Sequence, residues 1–228
     1  MPLSESDILF EDNHLIAVNK PGGVLVQPDK TDGESLEVLM KEFIKAKYNK
    51  PGEVFLGVCH RIDRPVSGVV LLARTSKALV RMNEMFKSKE MKKTYWAVVE
   101  KKPEKLEGTL VHWLKKNETK NISRVWDKEV PGSLRCELHY KWLKSIDNYH
   151  LLEIDLMTGR HHQIRTQLSA IGCPIKGDVK YFAKRGNRNG SIHLHARKVA
   201  FVHPVKKEPV EITAPVPEDN VWKAFGNP

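Results

Sequence analysis

Val69-Val70-Leu71-Leu72-Ala73 is an unbroken apolar run of strand length, and the segment that feeds it, His60-Arg61-Ile62-Asp63-Arg64-Pro65-Val66-Ser67-Gly68, is charged and turn-prone. The chain must therefore pass from a polar loop straight into a strand, with one carboxylate set between two guanidiniums. A neighbouring cation lowers a carboxyl pKa by roughly 1–3 units, so this placement predicts Asp63 to be an anion at neutral pH. Such a group is suited to nucleophilic attack and ill-suited to general acid work. The competing reading is a solvated cluster of surface charges beside a strand.

The rest of the chain reads as many short strands with few helices. Ile8-Leu9-Phe10 and Leu15-Ile16-Ala17-Val18 are predicted strands around an Asp12-Asn13 turn, and Pro21-Gly22-Gly23 ends the second. Between Ser35 and Tyr48, Leu36, Leu39, Met40, Phe43 and Ile44 recur at helical steps, which predicts a helix capped by Asp32 or Ser35. Val54 to Val58 is expected to lead as a strand into the Asp63 loop. Thr75 is expected to cap a second helix that shares Ala78, Leu79, Met82, Met85 and Phe86 on one face. Strands are expected at 94–99 and 108–114, followed by a flexible polar loop from Lys115 to Pro131. Cys136 to Leu143 and His150 to Leu156 read as an antiparallel pair turning at Ile146-Asp147-Asn148. A third helix is expected from Gly159 or Arg160 to the Gly172-Cys173-Pro174 break. Without regular strand-helix-strand repetition, this order predicts an α+β fold on an extended, mostly antiparallel sheet. No linker divides the chain, so residues 1–228 are expected to form a single domain.

Lys plus Arg number 38 against 28 Asp plus Glu, a net charge of +10 that favours a polyanionic partner such as nucleic acid. Cys59, Cys136 and Cys173 are odd in number and widely spaced, which predicts neither a disulfide framework nor a zinc knuckle. The start of the chain, Met1-Pro2-Leu3-Ser4-Glu5-Ser6-Asp7, lacks the basic segment and apolar stretch of a signal peptide. Its apolar runs fall far short of the roughly 20 residues that span a membrane. A cytoplasmic protein without membrane contact is the expectation.

Four blocks in order, Ile16-Ala17-Val18-Asn19-Lys20-Pro21-Gly22-Gly23, the His60 to Gly68 segment, Lys92-Lys93-Thr94-Tyr95-Trp96-Ala97-Val98-Val99 and Thr158-Gly159-Arg160-His161-His162-Gln163-Ile164-Arg165, resemble the RluA-type RNA pseudouridine synthases. Gly177-Asp178-Val179-Lys180-Tyr181 and His193-Leu194-His195-Ala196 continue the likeness. The resemblance implies the pseudouridine synthase fold, with helices and loops around a central active-site cleft. It also implies a short form in which no extra RNA-binding module precedes Ile8. Asp63 falls on the family's catalytic aspartate, Tyr95 on its active-site tyrosine and Arg165 on the basic partner of the aspartate.

That chemistry breaks the C1′–N1 bond of a uridine, turns the base and rejoins it through C5. No redox step or external group is needed, so no cofactor is expected. Asp63 would act at the sugar, either by bonding to C1′ or by promoting a glycal. The target base must first leave the stack, and the Tyr95 ring would lie on the extruded uracil. Arg61, Arg64, Lys20, Arg160, Gln163 and His162 are the expected RNA or substrate contacts, with Arg160 and Gln163 at a predicted helix start that favours a phosphate. Lys20 alternatively marks a strand end, Tyr95 a strand core, Arg165 a solvated helix position, and Asp178 a turn.

The adjacent His161 and His162, and His193 with His195, do not supply the three or four convergent ligands of a zinc site, so no metal is expected. Where relatives often carry Thr, this chain has Pro65-Val66 and His161; Cys173 stands where His is common. These replacements bear on loop packing or RNA choice. The expected partner is ribosomal or transfer RNA, bound by a monomer. A carboxylate-based nucleosidase or a catalytically silent RNA-binding module are the competing functions, the first requiring a second acid that the blocks do not offer.

Overall fold

The computed structural model describes residues 4–28 and 34–226. The chain runs β1 (Ile8–Glu11), β2 (Leu15–Lys20), α1 (Leu36–Lys47), β3 (Gly57–Val58), β4 (Ser67–Ala73) and α2 (Ser76–Ser88). It continues β5 (Lys92–Val99), β6 (Glu107–Asn117), β7 (Ile122–Trp126), β8 (Leu134–Ile146), β9 (Tyr149–Leu156) and α3 (Gln163–Ala170). It closes with β10 (Leu194–Val202), β11 (Pro209–Thr213) and α4 (Asn220–Phe225). These form two compact units. The first takes the chain up to Met91 and Ala196–Pro215, and the second takes Lys92–His195 and the residues from Val216.

In the first unit β2 pairs antiparallel with both β1 and β4, from Leu15 opposite Ala73 to Lys20 opposite Gly68, and β11 pairs antiparallel with β10. Strand side chains alternate between faces, so Val69, Leu71 and Ala73 share one face. They meet Leu15, Ala17 and the α2 residues Ala78, Met82 and Met85 in one apolar core. The alternate residues Ile16, Val18, Val70 and Leu72 are equally closed to water, so β4 is buried along its whole length. That is why this segment reads as a continuous apolar run.

Both predicted helix starts are capped by the expected residues. Ser35 Oγ accepts from the Val38 amide and Thr75 Oγ1 from the Ala78 amide. The other cap candidate, Asp32, lies outside the described residues.

The second unit is an antiparallel sheet in the order β5-β9-β8-β6-β7. Trp96, Val98 and Leu151 from this sheet bury Trp222 and Phe225 of α4. The long β8–β9 pair turns at Asp147-Asn148 as expected, with Asp147 in the left-handed region at φ 47°. Three local expectations need correction. The strand expected at 54–58 is ordered as a strand only at Gly57–Val58, and α3 begins at Gln163 rather than at Gly159 or Arg160. Lys115 to Pro131 is no open loop, because β6 runs to Asn117 and β7 returns from Ile122, in register from Trp113 opposite Trp126 to Asn117 opposite Ile122. Antiparallel strands with separate helices give the α+β class read from the sequence.

Gly68 shows why the start of β4 tolerates no side chain. Its φ is +112°, and a Cβ there would lie 2.3 Å from the Ala196 carbonyl oxygen. Gly68→Ala is expected to lower unfolding free energy by about 2–4 kcal/mol, since it adds a backbone clash to a left-handed strain. Urea denaturation of the two proteins measures this; equal midpoints would refute it.

Candidate active site and nucleic-acid interface

In the first unit, Asp63 sits half-buried in the turn between β3 and β4, with its carbonyl accepting from the Val66 amide. Neighbouring contacts hold the loop at several points. The Cys59 amide donates to the Leu71 carbonyl, and the Leu71 amide donates to Nε2 of His60, whose ring lies tilted against Phe86 with centres 4.9 Å apart. Arg64 and Gly23 clasp one another: the Gly23 amide donates to the Arg64 carbonyl at 2.7 Å, and Arg64 Nε donates to the Gly23 carbonyl at 2.9 Å. Arg61 and Arg64 are exposed on either side of Asp63.

Lys20, expected at a phosphate, is instead entirely buried at 0% exposure. Its Nζ donates to the carbonyls of Pro21 and Val24 at 2.8 Å and of Arg64 at 3.2 Å. The ammonium is thus spent on loop backbone that no sheet ladder satisfies, and it joins the end of β2 to the Asp63 turn. Burial pushes its pKa down to about 7, the charge of Asp63 partly opposing that shift and Arg64 adding to it.

In the second unit, α3 is buried from Gln163 to Leu168, which no solvated helix would be. Arg165 lies within it, 4% exposed, and is gripped bidentately by Asp178 through Nε at 2.7 Å and Nη2 at 2.8 Å. Its guanidinium also lies 5.0 Å from the centre of the Tyr181 ring. The Tyr181 hydroxyl accepts from the Ser123 amide at 2.8 Å, leaving its proton to donate to His162 Nδ1 at 2.8 Å. Asp178 does occupy a turn, but its carboxylate is the buried counter-ion of Arg165. Asp178 and Tyr181 are the members of this network that motif order alone did not bring out as partners of Arg165. The burial of α3 from Gln163 to Leu168 is the signal that its arginine needs a buried anion.

His162 heads α3 in the left-handed region at φ 55°, stacked on His161 with ring centres 3.7 Å apart. Burial, then the nearby positive charges led by Arg165, push its pKa down to about 2, so it is a neutral ring. His161 bonds Ser123 Oγ at 2.8 Å and Asn121 at 3.0 Å, tying α3 to the β6–β7 hairpin. Gln163 is spent on scaffold as well. Its Oε1 accepts from the Thr158 hydroxyl and the Arg160 amide, and its Nε2 donates to the Glu137 carbonyl. Arg160 remains exposed. Tyr95 is buried on β5, opposite Ile154, on the face away from Trp96 and Val98.

The hairpin supplies a further cationic surface. A groove of about 270 Å³ is lined by Lys115, Lys116, Asn117, Arg124 and Trp126. Lys115 and Arg124 face one another across β6 and β7, and like charges directly opposite in a sheet repel. A bound phosphate would relieve that repulsion.

Comparison with known proteins accounts for this arrangement. Residues 14–170 match the family described as RNA pseudouridylate synthase. The chain is 34% identical over 220 residues to an uncharacterized RNA pseudouridine synthase of Bacillus subtilis, covering 94% of this chain and 70% of that one. It is 33% identical to ribosomal large subunit pseudouridine synthase C of Vibrio vulnificus, over 92% of this chain and 66% of the relative. With tRNA pseudouridine synthase C of Pectobacterium carotovorum it shares 31% identity, over 96% of this chain and 62% of that protein. The chain thus spans roughly two thirds of the length of these relatives. A human protein, RNA pseudouridylate synthase domain containing 4, shares the fold with a TM-score of 0.80 at 23% identity, over 96% of this chain and 92% of that one.

The class these findings define is that of isomerases acting on uridine in RNA. The chain belongs to the RNA pseudouridylate synthase family, in its RluA-type branch.

Two predictions follow from the buried charges. Lys20→Met strands the Pro21 and Val24 carbonyls, takes a second donor from that of Arg64, and is expected to cost about 1–3 kcal/mol of stability at pH 7. Because the folded pKa of Lys20 lies near 7 and the unfolded one near 10.5, the unfolded chain holds the extra proton between them, and stability rises with pH across that window. Wild type should therefore gain on Lys20→Met as pH is raised from 7 to 10, and a constant gap would contradict the lowered pKa of Lys20. Asp178→Asn removes the charge of the carboxylate that grips Arg165 at two points and is expected to cost about 3–5 kcal/mol, measured by urea unfolding; a loss below about 1 kcal/mol would mean that the pair is not buried.

Proposed function

We propose that this chain isomerises specific uridines in structured ribosomal or transfer RNA to pseudouridine, with Asp63 as the catalytic carboxylate and no cofactor. What carries the reading is the family match over residues 14–170, which takes in Asp63, Tyr95 and Arg165 in the family's order. The printed names of the relatives, a ribosomal large subunit enzyme and a tRNA enzyme, supply the two RNA classes.

In the proposed reaction the target uridine is flipped from the RNA, and the carboxylate of Asp63 engages the sugar. The C1′–N1 bond breaks with its electron pair leaving on N1 of uracil, either as Asp63 bonds C1′ or as the sugar loses its C2′ proton to give a glycal. The free base turns so that C5 faces C1′, and the C5–C1′ bond forms as the Asp63–C1′ bond breaks and the carboxylate leaves or, on the glycal route, as C2′ takes its proton back. The proton on C5 is then lost and N1 gains one, so the product is an isomer of the substrate. Tyr95 is proposed to lie against the extruded base, and Arg165 to orient the carboxylate. Pre-set groups of this kind act without reorganising during reaction, which is where electrostatic catalysis gains most.

The catalytic domain in this reading is residues 1–228, taking in both compact units. Several residues expected at the substrate acquire a supporting role: Lys20 and Gln163 fix the loops on which Asp63 and Arg160 stand, while Arg61, Arg64 and Arg160 keep exposed cationic heads for phosphate.

Release of tritium from RNA labelled at uridine C5 reads the reaction directly. Asp63→Asn and Asp63→Ala should abolish release while RNA binding is kept, because phosphate contacts supply most of the affinity. Arg165→Ala should lower the rate by about tenfold or more with a modest change in binding. Turnover by either Asp63 variant would refute the assignment, and free uracil in place of pseudouridine would make the protein a nucleosidase.

A further inference from the structure

Phe182 occupies a position that neither apolar packing nor backbone preference favours. It is 83% exposed, the most exposed of the large hydrophobic residues among those described. Its backbone lies in the left-handed region at φ 72°, ψ 19°. The other residues with positive φ, glycines apart, are Asn49, Lys89, Asn121, Asp147, His162 and Lys207, all carrying polar side chains. An aromatic ring there gains nothing from burial and carries strain that glycine would not. Such strain persists where the surroundings enforce it, and it concentrates at ligand contacts.

The surroundings do enforce it. Ala183 and Tyr181 both donate backbone amides to the Asp178 carbonyl, and the Ser169 hydroxyl donates to the Tyr181 carbonyl. Asp178 in turn holds Arg165, and Tyr181 holds His162 and Ser123, so the ring stands on a hydrogen-bonded network of the second unit. Charge then says what the ring meets. Between Val179 and Ile192 the chain carries Lys180, Lys184, Arg185 and Arg188 and no acidic residue of its own, one carboxylate, that of Glu100, accepting from the Lys184 amide. Lys180 also reaches back to the Asn121 carbonyl in the turn of the basic hairpin. An apolar partner protein would be poorly matched to this surround, whereas a nucleic-acid base beside its own phosphates matches both ring and charge.

We propose that Phe182 is a stacking platform for an unpaired base of the bound RNA, with the cations of 180–188 holding the flanking phosphates. The proposal rests on the RNA-modifying function above and adds to it a base contact that favours RNA with an unpaired base at that point. The platform is flat and makes no hydrogen bond to a base edge, so it selects an unstacked base rather than a particular sequence.

The test compares wild type with Phe182→Gly and Phe182→Trp, using fluorescence anisotropy on a fluorescein-labelled single-stranded oligouridine and tritium release on uridine-labelled total RNA. Stacking of one base is worth about a tenfold change in affinity, so Phe182→Gly should weaken binding by about that factor while Phe182→Trp keeps it. Glycine suits the left-handed backbone, so Phe182→Gly should melt at the same temperature as wild type or higher, which separates lost stacking from lost folding. The ratio of dissociation constants should also stay constant as salt is raised, since the ring neutralises no phosphate, whereas Lys180→Ala should flatten the salt dependence. Oligouridine affinity unchanged in Phe182→Gly would overturn the platform. Binding that depends on Phe182 in a wild-type protein that releases no tritium would leave the platform standing and overturn the catalytic reading instead.

Discussion

A lysine ammonium with no access to water underlies the geometry of the Asp63 loop. The carbonyls of Pro21, Val24 and Arg64 all belong to loop segments, where no strand or helix offers a donor, and Lys20 satisfies all three. A compact tetrahedral head with three donors fits three converging acceptors; a planar guanidinium, with donors fixed in a fork, would not. Burying that charge is unfavourable, as its lowered pKa shows, and the nearby negative charge of Asp63 offsets part of the cost. The loop that carries the candidate nucleophile is therefore held by a group whose own charge state that nucleophile helps to sustain.

The second unit solves a similar problem with an ion pair. α3 is closed to water along most of its length, yet it carries Arg165, so a carboxylate had to be buried with it. Asp178 fills that role in a two-point grip that fixes the guanidinium plane as well as its position. Tyr181 beneath the guanidinium and His162 beyond it extend the network to the hairpin through Ser123. His162 can stand beside so many cations because it remains uncharged, which its depressed pKa ensures at any pH near neutrality. Rigid support of this kind gives a charged side chain one orientation rather than several.

Much of the fold was legible from pattern. β4 announced itself by its apolar run, α1 and α2 by helical spacing and by Ser35 and Thr75 at their caps, and the β8–β9 turn by Asp147-Asn148. The β6–β7 hairpin was missed for a physical reason. Its strands carry Lys115, Lys116 and Arg124 on open positions, and its turn closes through Asn121 at φ 46° without a glycine, so neither apolar alternation nor the usual turn pair marks it. The order of the motifs gave the family, but not the destination of each polar group. Lys20 and Gln163 look like ligands in sequence because nothing in sequence reveals which backbone carbonyls and amides lack a partner.

That distinction sorts the cationic surface into two populations. Lys20 and Arg165 are consumed inside the protein, where removing one strands its partners. Arg61, Arg64, Arg160, Lys115, Lys116 and Arg124 stay exposed, although Arg64 lends its Nε to the Gly23 carbonyl, Arg160 its Nε to the Arg135 carbonyl and Lys115 its Nζ to the Pro131 carbonyl, and Lys116 pairs with Glu118. The first population sets geometry and is insensitive to salt, because buried charges are screened little. The second lies within reach of a phosphate backbone and of the counter-ions that compete for it. An excess of ten positive charges is thus no single reservoir of RNA affinity. The part that binds must be read from exposure, and the part that positions from the carbonyls and carboxylates it has already engaged.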